Sequence, residues 1–450
     1  LARLLGGTTL GTISDSKPFG LITEEDRRNL PADIEDAYPL AMLQAGMLFH
    51  SLYRPDSPIY HNITSFHLRA PFDGEAMRTA IVQVVAAHPV LRTSFDFTNF
   101  SEPLQLVHKE VTVPFEIDDL SNLTPDEQKK AVACTIQREK KGRFDHTKAP
   151  LVRFHAHPQS EETFRFTVTE DHAILDGWSV ARMIAEIFRR YFFQLGLVES
   201  TVENPPTPTF RDFVALERKV LEDEEHRKFW VETLKDAPIL RLPRWQAPGD
   251  GGIADEQRVR TINIPAEVHS GLRRLAEGLD VPLRTVLLAA HLKVLSILGG
   301  GPVVSTGVVF NGRLEEEGGD NVLGLHLNTL PIGVKLSGGT WVDLIQEVFR
   351  AEIEMLPHRR FPLAVLQVQS DMQQLFETIF NFIHFHAYRD LLELQGIELL
   401  EEMSLQETNF TLATEWIIDV SDSELILRVG YDHAQLCDLQ ISYILGYYTD

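Results

Sequence analysis

The stretch TEDHAILDGWSV, residues 169–180, places one histidine between two carboxylates. His172 follows Asp171 directly, and Asp176 and Gly177 come shortly afterwards. Because the ordinary pKa of an imidazole lies near neutrality, a neutral His172 could accept a proton from an attacking amine or alcohol. The residue types leave three roles open for His172: catalytic base, structural histidine and metal ligand.

The elements around His172 indicate how it is held. TFRFTVTEDHAI alternates as a β-strand does, so Asp171 and His172 are expected to point to opposite faces. Gly177 breaks the strand, and Ser179 is expected to cap the helix that follows. A strand-to-helix turn can aim a side chain into a cleft. A metal site is disfavoured because the alternation separates two of its possible ligands, whereas the catalytic and structural roles stay open on these residues alone.

Composition excludes several classes of function. The formal charge of −23, from 42 Lys and Arg against 65 Asp and Glu, opposes binding to nucleic acid. Cys134 and Cys437 are far apart and form no CxxC pair, which predicts neither a disulfide framework nor a zinc site and favours the cytoplasm. The long apolar stretch 281–310 is interrupted by charged residues and glycines, so no membrane segment is predicted.

The length and the order of the patterns predict the domain organisation. A chain of 450 residues exceeds one core, and helical and strand patterns alternate through both halves, which predicts two lobes of α/β or α+β class. Residues 1–7 resemble the end of a helix from an upstream domain, or else a frayed terminus. A linker is expected over 8–37, one lobe over 38–204 and a second over 205–450, with the proline-rich VENPPTPTF at their boundary.

The spacing H-x-x-x-D-G in HAILDGWS resembles the active-site motif of nonribosomal peptide synthetase condensation domains, usually HHxxxDG. Six further stretches are similar, in the same order, to other signatures of that family. They are YPLAMLQAGMLFHSLY (38–53), AHPVLRTSF (87–95), FRDFVALE (210–217), NVLGLHLNTLPI (321–332), HRRFPLAVLQ (358–367) and LFETIFNFIHF (375–385). The resemblance extends from about Tyr38 to the end of the chain.

This resemblance implies a fold and a reaction. Two chloramphenicol-acetyltransferase-like lobes would form a V-shaped pseudo-dimer with a central tunnel. Donor and acceptor carrier domains would deliver thioesters into it on 4'-phosphopantetheine arms, next to an adenylation domain, and the domain itself would bind no cofactor. The acceptor amine would then attack the donor thioester to form an amide. Residues 1–7 would be the tail of the upstream carrier domain.

The resemblance also assigns roles to individual residues. His172 takes the place of the second, catalytic histidine, as a base or a positioning group. Asp176 matches a structural aspartate that pairs with an arginine, for which Arg313 is the candidate. Gly177 matches a glycine whose small size admits the pantetheine thioester, and Asn328 belongs to the element similar to GxFVNT.

One position departs from the motif, because Asp171 stands where the first histidine is usual. Asp171, Asp176 and Ser179 thereby match D-x-x-x-x-D-x-x-S, the signature of heterocyclization domains. The retained His172 and the other elements favour simple amide formation, with Asp171 as a buffer or hydrogen-bond anchor. A noncatalytic docking module is disfavoured because His172 is present, an epimerization domain because its glutamate motif is missing, and a free coenzyme A acyltransferase because of the expected upstream helix and linker.

Overall fold

The computed structural model describes residues 17–53, 59–198, 208–235, 239–245, 257–336, 338–370, 374–384, 397–405, 410–419 and 424–449. These residues divide into two compact units. Unit 1 comprises the described residues up to Glu222, with Arg313–His326 and the described part of 390–406, and unit 2 comprises the rest. The helix expected at 1–7 and residues 202–207 of the proline-rich boundary VENPPTPTF lie outside the described residues.

Unit 1 contains six α-helices and eight strands among its described residues. The helices are α1 (Glu24–Arg28), α2 (Met42–Tyr53), α3 (Gly74–Ala87), α4 (Pro125–Lys141), α5 (Gly177–Gln194) and α6 (Phe210–Glu222). The strands are β1 (Ile34–Pro39), β2 (His61–Arg69), β3 (Thr93–Asp96), β4 (Leu104–His108), β5 (Phe115–Ile117), β6 (Val152–Pro158), β7 (Thr163–Asp171) and β12 (Glu398–Leu405).

The sheet that carries the candidate site has the strand order β12-β2-β7-β6-β5. Its strand β7 forms where the sequence predicts and is buried on both faces, and Phe166 on its apolar face lies edge-on to Phe188 of α5, with ring centroids 5.2 Å apart. Asp176 caps α5 because its side chain accepts a hydrogen bond from the amide of Ser179. Burial of this apolar face fixes where β7 ends and α5 begins. A separate three-stranded sheet has the order β1-β4-β3.

Unit 2 contains six α-helices and six strands among its described residues. The helices are α7 (Glu224–Leu234), α8 (Ala266–Gly278), α9 (Leu283–Gly299), α10 (Trp341–Met355), α11 (Leu363–Gln369) and α12 (Asp438–Thr449). The strands are β8 (Gln257–Ile264), β9 (Val303–Asn311), β10 (Leu327–Lys335), β11 (Thr378–Ile383), β13 (Leu412–Ile418) and β14 (Leu425–Asp432). They form one sheet of order β10-β9-β11-β13-β14-β8.

The α/β class is confirmed, but the units are not continuous in sequence as the lobes 38–204 and 205–450 would be. The strand β12 comes from the second half of the chain and pairs with β2 of unit 1, with Glu398 opposite Arg69. Helix α6 and the segment Arg313–His326 also belong to unit 1. A boundary drawn from local composition misses such segments, because their hydrogen-bond partners are distant in sequence.

Residues 17–37 are packed into unit 1, although the sequence analysis assigns them to a linker. The backbone amide of Phe19 donates to the carboxylate of Asp36 at 2.7 Å. Ile34 and Ala37 are buried in a cluster with Leu104 and Leu106 of β4. The linker expectation is therefore wrong for this part of 8–37, because β1 pairs with β4 and buries its apolar side chains there.

Within the part of the chain that the structure describes, no single helix is long and apolar enough to cross a membrane. Helices α8 and α9 reach that length and apolarity only together, and they are bent by 109° at the break between them.

Candidate active site

His172 lies in the turn between β7 and α5, and its ring is oriented by a backbone carbonyl. Its Nδ1 is 2.7 Å from the carbonyl oxygen of Leu175, which can only accept. Nδ1 therefore carries the proton in the neutral ring, and Nε2 keeps its lone pair. The backbone amide of His172 donates to the carbonyl of Tyr60 at 2.8 Å, which fixes the main chain as well.

The protonation state of His172 follows from its surroundings. Burial lowers the pKa of His172 below its ordinary value, while the Leu175 carbonyl and the carboxylates of Asp176 and Asp171 act in the opposite direction. Burial outweighs them, so the ring is neutral at pH 7. A fixed, neutral imidazole whose Nε2 keeps its lone pair can accept a proton or hold an amine by its N–H group.

Asp176 is buried and fully engaged at the start of α5. Its Oδ1 accepts from the Ser179 amide at 2.7 Å and from Nη2 of Arg313 at 2.6 Å. Its Oδ2 accepts from the backbone amide of His326 at 3.0 Å. Burial alone would raise the pKa of Asp176, but the charge of Arg313 and these hydrogen bonds lower it well below its ordinary value. Asp176 is therefore a permanent anion at the base of the turn.

Arg313 is the partner of Asp176 that the resemblance predicts, and both side chains are buried. Its guanidinium also donates to the hydroxyl of Ser179 at 2.8 Å and to the carbonyl of Val322. A buried carboxylate is stable only when a charged, hydrogen-bonded partner replaces its lost water. The segment containing Arg313 thus locks the beginning of α5 within unit 1.

Ser179 does not cap α5, because the helix begins at Gly177 and the preceding residue, Asp176, takes the capping position. The Ser179 hydroxyl instead donates to the carbonyl of Gly324 at 2.8 Å and accepts from its amide at 3.0 Å. Ser179 lies in the first turn of α5, on the side that packs against the segment around Gly324. Ser179 therefore tethers α5 to that segment.

Asp171 anchors the other end of the turn by hydrogen bonds, as the sequence analysis expects. Its Oδ1 accepts from the backbone amide of Ala173 at 2.9 Å. Its Oδ2 is 2.7 Å from Nε2 of His146. Sequence reasoning missed His146, since no spacing relates it to residue 171; the only signal was a lone histidine in the stretch FDHTKAP.

Two further side chains lie elsewhere than the sequence indicates: Gln44, which sequence reasoning missed, and Asn328, which it named as a site residue. Gln44 of α2 donates to the carbonyl of Ala173 at 2.8 Å and so supports the turn next to His172. Asn328 lies in unit 2, where its amide donates to the carbonyls of Arg359 and Phe361 at 2.9 and 2.8 Å. Among the residues that the structure describes, no group of three or more His, Cys, Asp or Glu could hold a metal ion.

Comparison with known sequences gives one family and several curated relatives. A family model described as Condensation domain matches residues 34–449. The AMB antimetabolite synthetase AmbE of Pseudomonas aeruginosa is 36% identical over 402 residues, which is 86% of this chain and 18% of that protein. One of the linear gramicidin synthase proteins of Brevibacillus parabrevis is 30% identical over 429 residues, which is 92% of this chain and 5% of that protein. The chain thus spans a small part of these relatives.

Solved structures show the same fold at low identity. The condensation domain of the monacolin K polyketide synthase MokA matches with a TM-score of 0.79 and 15% identity, over 93% of this chain and 96% of that one. A four-domain nonribosomal peptide synthetase in its holo form matches with a TM-score of 0.73 and 18% identity, over 93% of this chain and 33% of that one.

Proposed function

The chain belongs to the condensation-domain family of nonribosomal peptide synthetases, and we propose that its peptide-bond formation takes place at His172. The amine of an acceptor aminoacyl thioester attacks the carbonyl of a donor thioester. A C–N bond forms as the donor acyl group moves to the acceptor, the C–S bond breaks, and the phosphopantetheine sulfur of the donor carrier leaves as a thiol after taking up a proton. The attacking nitrogen must lose one proton, and Nε2 of His172 accepts it or orients the amine.

The single observation that carries this proposal is the state of the His172 ring. The Leu175 carbonyl binds Nδ1–H, so the lone pair of Nε2 is directed away from the backbone turn. Burial keeps the pKa of His172 below its ordinary value, so the lone pair is available at pH 7. Proton transfer by a positioned histidine typically accelerates a reaction by about 100- to 10,000-fold.

The rest of the turn supports positioning more than chemical activation. A thioester is already reactive, so much of the rate comes from holding amine and carbonyl in attack geometry. The ion pair of Asp176 with Arg313 fixes the start of α5, and Asp171 fixes the end of β7. We therefore assign Asp176, Arg313 and Asp171 to positioning, and Gly177 to close approach of the pantetheine thioester.

Heterocyclization is not favoured as a second function. The three residues that match its signature are each bound to other parts of unit 1. Asp171 binds the Ala173 amide and His146, Asp176 binds Arg313, and Ser179 binds Gly324. These hydrogen bonds account for all three without a cyclodehydration step.

The partners in the proposal are an upstream donor carrier domain, a downstream acceptor carrier domain and an adenylation domain, with phosphopantetheine arms that carry the thioesters to His172. Neither nucleic acid nor a membrane is among them. The cytoplasm is the proposed location, in keeping with Cys134 and Cys437, which are both free thiols.

Helix α2 offers a docking surface for one carrier domain. Phe49, Leu52 and Tyr53 at its C-terminal end are 64%, 56% and 75% exposed, and the rings of Phe49 and Tyr53 are stacked. The other end of the same helix supports the catalytic turn through Gln44. At 1.5 Å of rise per residue, the two ends are about 13 Å apart, a distance that a flexible arm can bridge.

The docking assignment has its own test. Phe49→Asp should raise the KM for one of the two carrier-bound thioesters, which identifies the carrier that docks there, and leave unchanged the rate with small N-acetylcysteamine thioesters. Val368→Asp is the matched control, since Val368 is an 82% exposed apolar residue of unit 2. Equal effects of Phe49→Asp on both kinds of thioester would contradict a role in docking.

The experiment that tests the function measures products. A donor carrier domain bearing a panel of aminoacyl thioesters is mixed with the chain and an acceptor carrier domain bearing glycyl or cysteinyl thioester, and products are read by mass spectrometry. A linear amide on the acceptor supports the proposal. Further loss of water with the cysteinyl acceptor would indicate cyclization, and no transfer with any pair would contradict catalysis.

A further inference from the structure

His146 and Asp171 form a pair beside His172, and of the two only Asp171 has a role in the reaction proposed above. Oδ2 of Asp171 is 2.7 Å from Nε2 of His146. The two side chains are 9% and 13% exposed, so water competes little for this contact. Asp171 stands at the position where the motif that the chain resembles has its first histidine. A histidine–carboxylate pair therefore replaces that histidine here.

His146 is itself held in position. Its backbone carbonyl accepts from the amide of Phe95 in β3 at 2.8 Å. The stretch around it has no regular secondary structure, so this bond and the contact with Asp171 connect it to the fold. His146 thereby links the end of β7 to a strand of the other sheet of unit 1.

Asp171 makes hydrogen bonds that hold the backbone on both sides of His172. Its backbone amide donates to the carbonyl of Leu151 at 3.1 Å, and its carbonyl accepts from the amide of Ile174 at 3.1 Å. Its Oδ1 accepts from the amide of Ala173, the residue that follows His172. The peptide units before and after His172 therefore depend on where the Asp171 carboxylate lies.

We propose that His146 is a positioning residue for amide formation, which acts through Asp171 on the orientation of His172. This inference rests on the proposed function. His146 donates from Nε2 to the carboxylate, the carboxylate holds the Ala173 amide, and the turn presents Nε2 of His172 to the amine. The hydrogen bond matters in this arrangement, and His146 exchanges no proton with substrate.

The same unit supplies a matched control. His88 at the end of α3 makes a comparable contact, with Nε2 2.7 Å from the carboxylate of Glu186 in α5. Both side chains of that pair are also largely buried, at 7% and 16% exposure. A histidine that only stabilises unit 1 should behave as His88 does.

The experiment compares single-turnover transfer by the full chain, with alanyl thioester on a donor carrier and glycyl thioester on an acceptor carrier. His146→Leu and Asp171→Ala should each lower the rate at saturating carrier by about 10- to 100-fold, because small displacements at a reacting centre cost that much. KM should stay within about twofold, since the reacting geometry changes and not the carrier contacts. His146→Gln, which keeps a donor, should restore most of the rate, whereas His88→Leu should lower only Tm.

The double variant and a substitute variant complete the test. Since both residues act through one hydrogen bond, His146→Leu with Asp171→Ala should be no slower than Asp171→Ala alone. If His146→Leu does not fold, His146→Asn replaces it, as a shorter side chain that cannot reach Asp171. An unchanged rate in the folded variant would overturn the inference, as would a rate loss that His88→Leu shares. Failure of the wild-type chain to transfer would instead contradict the proposed function.

Discussion

One histidine of each unit, His172 of unit 1 and His291 of unit 2, has a pKa lowered by burial, and the two rings are held in opposite ways. His291 lies in the middle of α9 in unit 2, with Nδ1 2.6 Å from the hydroxyl of Tyr448 and Nε2 3.1 Å from that of Thr306. His172 lies in a turn of unit 1, and among the described residues only its Nδ1 is bound, by the Leu175 carbonyl. Burial lowers the pKa of both rings, to about 3 for His291.

The difference teaches that hydrogen-bond partners, more than burial or pKa, separate a structural histidine from a reactive one. A ring with both nitrogens bound has satisfied its polar groups and has nothing to offer a substrate. A ring with one nitrogen bound is oriented and keeps a reactive atom. The position in the chain agrees with this, since the middle of a packed helix is closed and a strand-to-helix turn is open.

The largest expected effect is on the rate of transfer. His172→Ala should lower the single-turnover rate by about 100- to 10,000-fold, because the proton acceptor is lost. Tm should change little, since the side chain makes one hydrogen bond in the described structure. His291→Ala provides the contrast and should retain the rate per folded molecule. Undiminished turnover by the His172→Ala variant would contradict the assignment of His172 as the proton acceptor or positioning group.

The next largest effect is on stability, and it concerns the ion pair of Asp176 and Arg313 that holds the turn containing His172. Arg313→Met should lower the free energy of unfolding by about 3–5 kcal/mol, because the buried Asp176 carboxylate loses its charged partner. Urea unfolding measures this change. Asp176→Asn with Arg313→Met should be more stable than Arg313→Met alone, since no buried charge remains unpaired. A loss below about 1 kcal/mol, the worth of an exposed pair, would show that the pair does not anchor the turn.

A smaller loss of stability is expected at the structural histidine. His291→Ala removes the hydrogen bonds that the ring makes to the hydroxyls of Tyr448 and Thr306, at about 1 kcal/mol for each, because both hydroxyls keep a threonine partner. Thermal unfolding should detect it, and transfer by the folded fraction should be normal. A variant as stable as wild type, but slow, would reverse the roles assigned to the two histidines.

The two histidines should also respond differently to pH. For His172, the transfer rate should rise with pH and then reach a plateau, because the neutral ring is the active form. The midpoint of the rise should lie below about 6.5, the ordinary pKa of histidine. For His291, the unfolded chain binds the proton first, so stability falls as pH drops from about 6.5 towards 3, by about 1.4 kcal/mol per pH unit. The free energy of unfolding is measured over a series of pH values. The His291→Leu variant is the control, and its stability should lack the part of the pH dependence that His291 contributes. Absence of any rate midpoint would argue against His172 as base.

The amino-acid sequence already determines the local part of the site. Alternation in TFRFTVTED makes β7, and the amphipathic stretch from Gly177 onwards makes α5, both of which depend on neighbours within a few residues. The strand already ends at Asp171, before the Gly177 at which a break is expected. The motif spacing singled out His172 and Asp176, the resemblance added Arg313 as the partner of Asp176, and these last two are paired in the structure. Mixed α/β class followed from the same periodicities.

Contacts between distant segments decided the rest, because a hydrogen bond made across many residues leaves no periodic signal in the chain. The crossing of β12 into the sheet of unit 1 follows from its pairing with β2, more than three hundred residues earlier. The role of the Ser179 hydroxyl, which binds the backbone of Gly324 and does not cap α5, depended on where that distant segment lies. Asp171, which departs from the usual motif, acquired its meaning only when the fold brought His146 to its carboxylate.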